Sequence, residues 1–183
     1  MNKNFKVRPA QPDDADVASI LLYSAYTHRQ VASLPSEVPE NRFSEHLQHF
    51  FRKKGNRFSY EYIQVAEQHS EVVGLVLSFG GRDEERLNAV IGWQLERESE
   101  NDEWYIDALA VFRNWGHKGI GTHLLQTAEQ LACQHHYAKI ALNVAQENEE
   151  ALSLYRHLHY VVTKETFLYQ HPHVRMVKTL NDC

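Results

Sequence analysis

Residues 104–125 read WYIDALAVFRNWGHKGIGTHLL, and the way this stretch divides decides the fold. Trp104 to Phe112 is rich in aromatic and β-branched side chains and reads as a strand. Ile120 opens a helix expected to run to His136, with Ile120, Leu124, Leu125, Ala128, Leu131 and Ala132 on one apolar face. Between them Gly116, Gly119 and Gly121 have the order GxxGxG. That is neither the GxGxxG of a dinucleotide turn nor the GxxxxGK[ST] of a P-loop. The physics those motifs share survives: glycines let backbone approach a ligand, and the first free N–H groups of a helix, with its dipole, attract a phosphate. Lys118 adds a cation. Taken alone, the glycines fit equally a tight strand-to-helix turn that holds nothing.

Working outward, Phe5–Arg8 reads as a first strand stopped by Pro9, followed by a helix over PDDADVASILLYSAY with Asp13 or Asp14 as N-cap. A polar loop spans 29–42. FSEHLQHFFRKKG reads as a second helix, with Asn41 or Ser44 as its start and Gly55 as its stop. Runs 60–67 and 71–79, joined by QHS, predict a hairpin. A helix is expected over 84–98, with Leu87, Val90, Ile91 and Leu95 at helical spacing. Strand 139–144, helix 148–158 and two closing strands, 160–167 and 174–180, follow, with a turn at His171, Pro172 and His173. The order predicts one domain over 1–183 of class α+β: a layered structure with a mixed, mostly antiparallel sheet flanked by helices.

Composition removes several functions. The 183 residues are 43% hydrophobic and 23% charged, ordinary for a globular domain. A net charge of -5 and the lack of a basic run argue against nucleic acid as partner. No apolar stretch of about 18 residues exists, so no membrane span is expected. Residues 1–14 lack the apolar core of a secretory signal, and Cys133 and Cys183 have no framework spacing, which together suggest a cytoplasmic protein. Twelve histidines include the H-x-H pairs His157/His159 and His171/His173, but no third ligand of suitable spacing accompanies them, so no metal is expected.

Two segments carry more. DALAVFRNWGHKGIGTHLL, followed by IALNVAQENEEALSLYRHLHY, resembles the signature segments of the GCN5-related N-acetyltransferase (GNAT) family. There, a strand ending in a Leu-x-Val step leads into an Arg/Gln-x-x-Gly-x-Gly turn, and a later helix reads Asn-x-x-Ala-x-x-Leu-Tyr. The counterparts here are Leu109 and Val111, Gly119 and Gly121, and Asn148, Ala151, Leu154 and Tyr155. Gly116 stands where the family has Arg or Gln, with Arg113, His117 and Lys118 as substitutes, and His159-Tyr160 replaces Gly-Phe. The resemblance makes segment 84–98 an insertion between the family's third and fourth strands.

What the resemblance implies is a GNAT-like acyltransferase fold that moves an acetyl group from acetyl-CoA to an amine of a small molecule or protein by direct attack. The pantetheine arm would lie along Leu109, Ala110 and Val111. The pyrophosphate would lie on the backbone of Gly116, His117, Lys118, Gly119, Ile120, Gly121 and Thr122, and Asn148 and Ala151 would complete the cofactor site. Tyr155 would be the acid for the departing thiolate, since model values near 10 and 8.5 make that transfer uphill by only about 2 kcal/mol. Asp107, placed on one strand face with Tyr105 and Leu109 by strict alternation, and Glu103 are the candidate bases. The first two helices, their loop and the insertion would set the acceptor, with Glu37, Glu40 and Glu96 welcoming a cationic amine. Dimers are frequent in the family. The alternative is a non-catalytic acyl-CoA-binding regulatory or interaction module, which the loss of Arg or Gln at Gly116 would favour.

Overall fold

The computed structural model describes residues 5–27 and 42–181. Asn41, Glu37 and Glu40 lie outside them. In chain order the elements are β1 (Lys6–Pro9), α1 (Ala15–Thr27), α2 (Arg42–Phe51), β2 (Ile63–Gln68), β3 (Glu71–Gly80), α3 (Glu84–Ile91), β4 (Trp104–Val111), α4 (Ile120–Gln134), β5 (Lys139–Ala145), α5 (Glu149–His157), β6 (Val161–Leu168) and β7 (His171–Thr179). One seven-stranded sheet has the order β1-β2-β3-β4-β5-β7-β6. Only β4 and β5 run parallel; the other neighbours are antiparallel. The expected mixed, mostly antiparallel sheet is what forms.

β3 explains the layering. Its run EVVGLVLSFG is buried from Val72 onward, which happens when both faces of a strand are covered. Leu75, Leu77 and Phe79 pack with Ile20, Leu21, Leu47 and Phe51 of α1 and α2. Val73 and Val76 pack with Leu124, Leu125 and Ala128 of α4 and with Leu152 and Tyr155 of α5. Each such side chain removed from water contributes about 1.5–3 kcal/mol.

Local chemistry sets the boundaries and corrects some expectations. Asp14 is the third-residue partner of a capping box rather than the N-cap: its carboxylate accepts from Gln11 N–H at 2.8 Å and is gripped by Arg8. Ser44 is buried inside α2 instead of starting it. The helix expected over 84–98 stops at Ile91, because Gly92 adopts φ +73°, the left-handed conformation that ends helices. Within it Val90 is exposed, while Leu87 and Ile91 are buried. His69 and Ser70 both take positive φ, as a tight two-residue hairpin turn requires. Tyr169 and Gln170 do the same, so the second turn falls there and His171–His173 belong to β7. Cys133 in α4 is disulfide-bonded, which the cysteine spacing does not signal. No described helix is long and apolar enough to cross a membrane.

Candidate active site

β4 and β5 pair only at Trp104↔Ile140, Tyr105↔Ala141 and Ile106↔Leu142. Beyond that they part. The cause is visible on the other side of β4, where Leu77 opposes Ala108 and Ser78 opposes Ile106, leaving Asp107 as an unpaired bulge residue. A bulge bends its strand, and here the bend carries Leu109, Ala110 and Val111 away from β5 while β3 still holds them. The bulge also breaks alternation. Tyr105, Ala108 and Ala110 face α1 and α2, whereas Ile106, Leu109 and Val111 face α4 and α5, so Leu109 does not share a face with Tyr105.

At the open end of the splay the chain turns into α4. Arg113–Trp115 form one 3-10 turn; then His117 takes φ +56° and Gly119 φ +79° as the residue preceding the helix. Two positive-φ residues thus flank Lys118. The N–H groups of His117, Lys118, Gly119, Ile120, Gly121 and Thr122 have no acceptor among the described residues. They are the donors a helix start leaves unsatisfied, extended backward by the turn. Gly116 caps the 3-10 turn through its N–H to Arg113 O, and a Cβ there would come within 3.1 Å of that oxygen. Lys118 lies back over Trp115, 4.3 Å from the ring centre, with Nζ donating to Asn114 O at 3.2 Å. Arg113 is exposed and makes no hydrogen bond or ion pair among the described residues.

α5 starts beside this turn. Asn148 is its N-cap, Oδ1 accepting from Ala151 N–H at 3.1 Å. One face of α5 then buries Leu152 and Tyr155, and Leu154 approaches Gly121 closely enough that a Cβ on that glycine would meet it at 3.5 Å. Tyr155 leans on Tyr160 with ring centres 5.8 Å apart, and its hydroxyl has no partner among the described residues. Burial pushes the phenol well above its ordinary pKa, so it stays protonated throughout the neutral range.

On the α1–α2 side of the bulge lies a network that the sequence does not announce. Arg57, 2% exposed, donates from Nε to Asp107 Oδ2 at 2.9 Å, from Nη2 to Asp107 Oδ1, and from Nη2 to Glu98 Oε1 at 2.7 Å. Glu84 approaches the same guanidinium at 3.5 Å. Tyr26 from α1 donates to Asp107 at 2.6 Å. Glu98 accepts in addition from Tyr105 and Tyr169, each at 2.9 Å, and Asn143 of β5 donates to Tyr105 at 3.1 Å. Three carboxylates thus share one guanidinium. Burial raises the Glu98 carboxyl above its ordinary pKa; Arg57 pulls against that rise and Asp107 adds to it. Desolvation works against a charged Arg57, yet Asp107 and Glu98 outweigh it and hold the guanidinium protonated.

The expected bases are therefore placed in ion pairs. Both oxygens of Asp107 are taken by Arg57 and Tyr26, and its side chain is 1% exposed. Glu103, fully buried, is clasped by Arg175 and also accepts from Glu100 N–H at 2.8 Å. Glu96 accepts from Tyr169 N–H at 3.3 Å. Among the described residues no group of three or more His, Cys, Asp or Glu is arranged to hold a metal ion.

The profile of the Acetyltransferase (GNAT) family matches residues 22–160. No curated protein matches the chain. Among solved structures, an N-acetyltransferase from Staphylococcus aureus Mu50 is 26% identical and superposes with a TM-score of 0.78 over 94% of this chain and 100% of its own. yncA from Salmonella typhimurium, solved with its cofactor acetyl-CoA, is 13% identical with a TM-score of 0.65, covering 98% and 96% of the two chains. Naa50 from Arabidopsis thaliana, in complex with the bisubstrate analogue CoA-Ac-MVNAL, is 14% identical with a TM-score of 0.60 over 97% and 99%. At those identities the last two share the fold.

Proposed function

The chain belongs to the acetyltransferase (GNAT) family and is an acetyl-CoA-dependent acetyltransferase, and we propose that it transfers the acetyl group to an amine by direct attack within the β4–β5 splay. The observation that carries this reading is the run of N–H groups from His117 to Thr122, at the mouth of the splay, that have no acceptor among the described residues. Backbone donors at a helix start suit a pyrophosphate, which brings several acceptor oxygens and negative charge to one place. Arg113, exposed and unpaired among the described residues, supplies the charge-assisted contact that Gly116 does not. Leu109, Ala110 and Val111, released from β5, offer an edge along which an amide-containing arm pairs.

Tyr155 is the acid. It is neutral at working pH, has no partner among the described residues to compete for its proton, and stands on the helix whose N-cap adjoins the turn. Full transfer to a thiolate is uphill for so raised a phenol, but a thiolate leaving into the same apolar surroundings is destabilised by the same desolvation, which narrows the gap. Proton removal from the amine falls to Glu98 in place of Asp107 and Glu103. Of the three carboxylates around Arg57 it is the one that reaches the surface, 11% exposed against 0% for Glu84 and 1% for Asp107. Its excess negative charge suits an ammonium-bearing acceptor, and Tyr169 beside it lies at the surface to relay the proton.

Release of free thiol from acetyl-CoA, measured with a panel of amines, tests the assignment. Turnover with at least one cationic amine is expected. Tight CoA binding with no acceptor-stimulated release would leave the non-catalytic module as the better reading. At saturating substrate, Tyr155→Phe should lower the turnover number by about 10²-fold, and unchanged turnover where chemistry limits the rate would remove Tyr155 from the acid role.

A further inference from the structure

A cavity of about 350 Å³ opens at the end of the sheet opposite the splay, lined by Ser78, Gly80, Trp104, Arg82, His135 and Tyr137 among others. α4 has 15 residues, with its start at the glycine turn and its end here, which separates the two places by about 22 Å at 1.5 Å per residue. In the sheet Trp104 opposes Gly80 and Ser78 opposes Ile106, so the indole and the hydroxyl are neighbours on one face. The indole stacks on His135 at 5.0 Å with 16° between the planes, and meets Tyr137 edge-on at 5.6 Å. These contacts fix the ring.

Trp104 Nε1 and Ser78 Oγ are both buried, and neither has a hydrogen-bond partner among the described residues. Trp104 is 7% exposed and Ser78 2%. Buried polar groups in folded proteins are almost always paired, so two orphans lining one cavity mark a place completed by an acceptor from outside. A single bridging water is too small an occupant, since its share of liquid volume is about 30 Å³. Charge narrows the class. Arg82 lies over Tyr137 at 4.8 Å, but Glu61 and Asp83 also line the cavity, one accepting from Gly55 N–H and the other from Arg86. One cation against two carboxylates disfavours an anion, and an indole that can only donate disfavours an ammonium.

We propose that this cavity binds a small neutral carboxamide. Its carbonyl oxygen accepts from Trp104 Nε1–H and Ser78 Oγ–H, and its N–H groups face the carboxylates at the rim. The site is separate from acetyl transfer, and its test reads binding alone. The indole N–H resonance of Trp104, identified by its loss in Trp104→Phe, is followed by NMR as benzamide, benzoate or benzylamine is added to the whole protein. Benzamide should shift it saturably, with benzoate and benzylamine at least tenfold weaker, and Ser78→Ala should weaken benzamide severalfold. Absence of a saturable shift would mean that water alone fills the cavity. Equal or tighter binding of benzoate or benzylamine, or unchanged benzamide affinity in Ser78→Ala, would overturn the assignment.

Discussion

The turn at 116–122 and the network around Arg57 flank the same bulge in β4, yet they are built in opposite ways. The turn is made of backbone: six consecutive residues, His117 to Thr122, two of them with positive φ, carry amides without an acceptor among the described residues, and their side chains matter little. The network is made of side chains brought from six separate segments: Tyr26, Arg57, Glu84, Glu98, Asp107 and Tyr169. A backbone site tolerates sequence drift provided the conformation is kept, which is how Gly116 can replace a larger residue there. A site of shared charges tolerates almost none, because Arg57, Glu84 and Asp107 at its centre are buried against one another.

Substitutions that separate the two regions sharpen this contrast. The largest effect is expected at Arg57→Ala, which leaves Asp107 buried without its partner and should cost about 3–5 kcal/mol of stability, measured as a fall in the denaturant midpoint. Arg57→Lys should recover only part of that loss, since an ammonium cannot reproduce the two-pronged bond.

Glu98→Gln should fold but lower kcat/KM by about 10²-fold. The pH profile gives the sharper signature. A carboxylate takes a proton only when ionised, and burial raises the folded pKa of Glu98, so wild-type kcat/KM should fall on acidification at a pH above the ordinary carboxylate range. The same limb should be missing in Glu98→Gln. A limb that persists there would move the base elsewhere.

Gly119→Val comes next. A β-branched residue at φ +79° is strained by about 1–3 kcal/mol, and the turn relaxes by rotating its amides, so CoA binding should weaken about tenfold. Gly55→Val is the control: Gly55 has φ +73° and open space around it, and should lose similar stability with CoA affinity intact. The smallest effect is expected for Asn148→Ala, about 1 kcal/mol from loss of the cap on α5, with a slight loss of affinity.

How much of this is legible in the sequence follows the same division. The sheet, its flanking helices and the glycine turn depend on near neighbours, so periodicity and turn residues reveal them. Errors occur where one residue overrides a periodic pattern: Gly92 ends α3 against the apolar spacing that continues to Leu95, and Asp107 bulges and moves Leu109 to the other face. The hairpin turn at Tyr169–Gln170 is hidden in the sequence because neither residue is a glycine, while His171-Pro172-His173 offers the stronger turn signal. Arg57 is illegible for a different reason. Nothing in GNRFSY distinguishes a buried arginine from a solvated one, since its partners are 27 to 50 residues away at Glu84, Glu98 and Asp107. The ion pairs that take up Asp107 and Glu103 are invisible in the sequence for the same reason.

The central claim is that the amides of the glycine turn seat the pyrophosphate of acetyl-CoA. Backbone amide resonances recorded while CoA is added test it most directly. The largest shifts are expected at His117 through Thr122, with 3′-dephospho-CoA producing the same set because it keeps the pyrophosphate. Saturable CoA binding that leaves those six amides unmoved would contradict the claim.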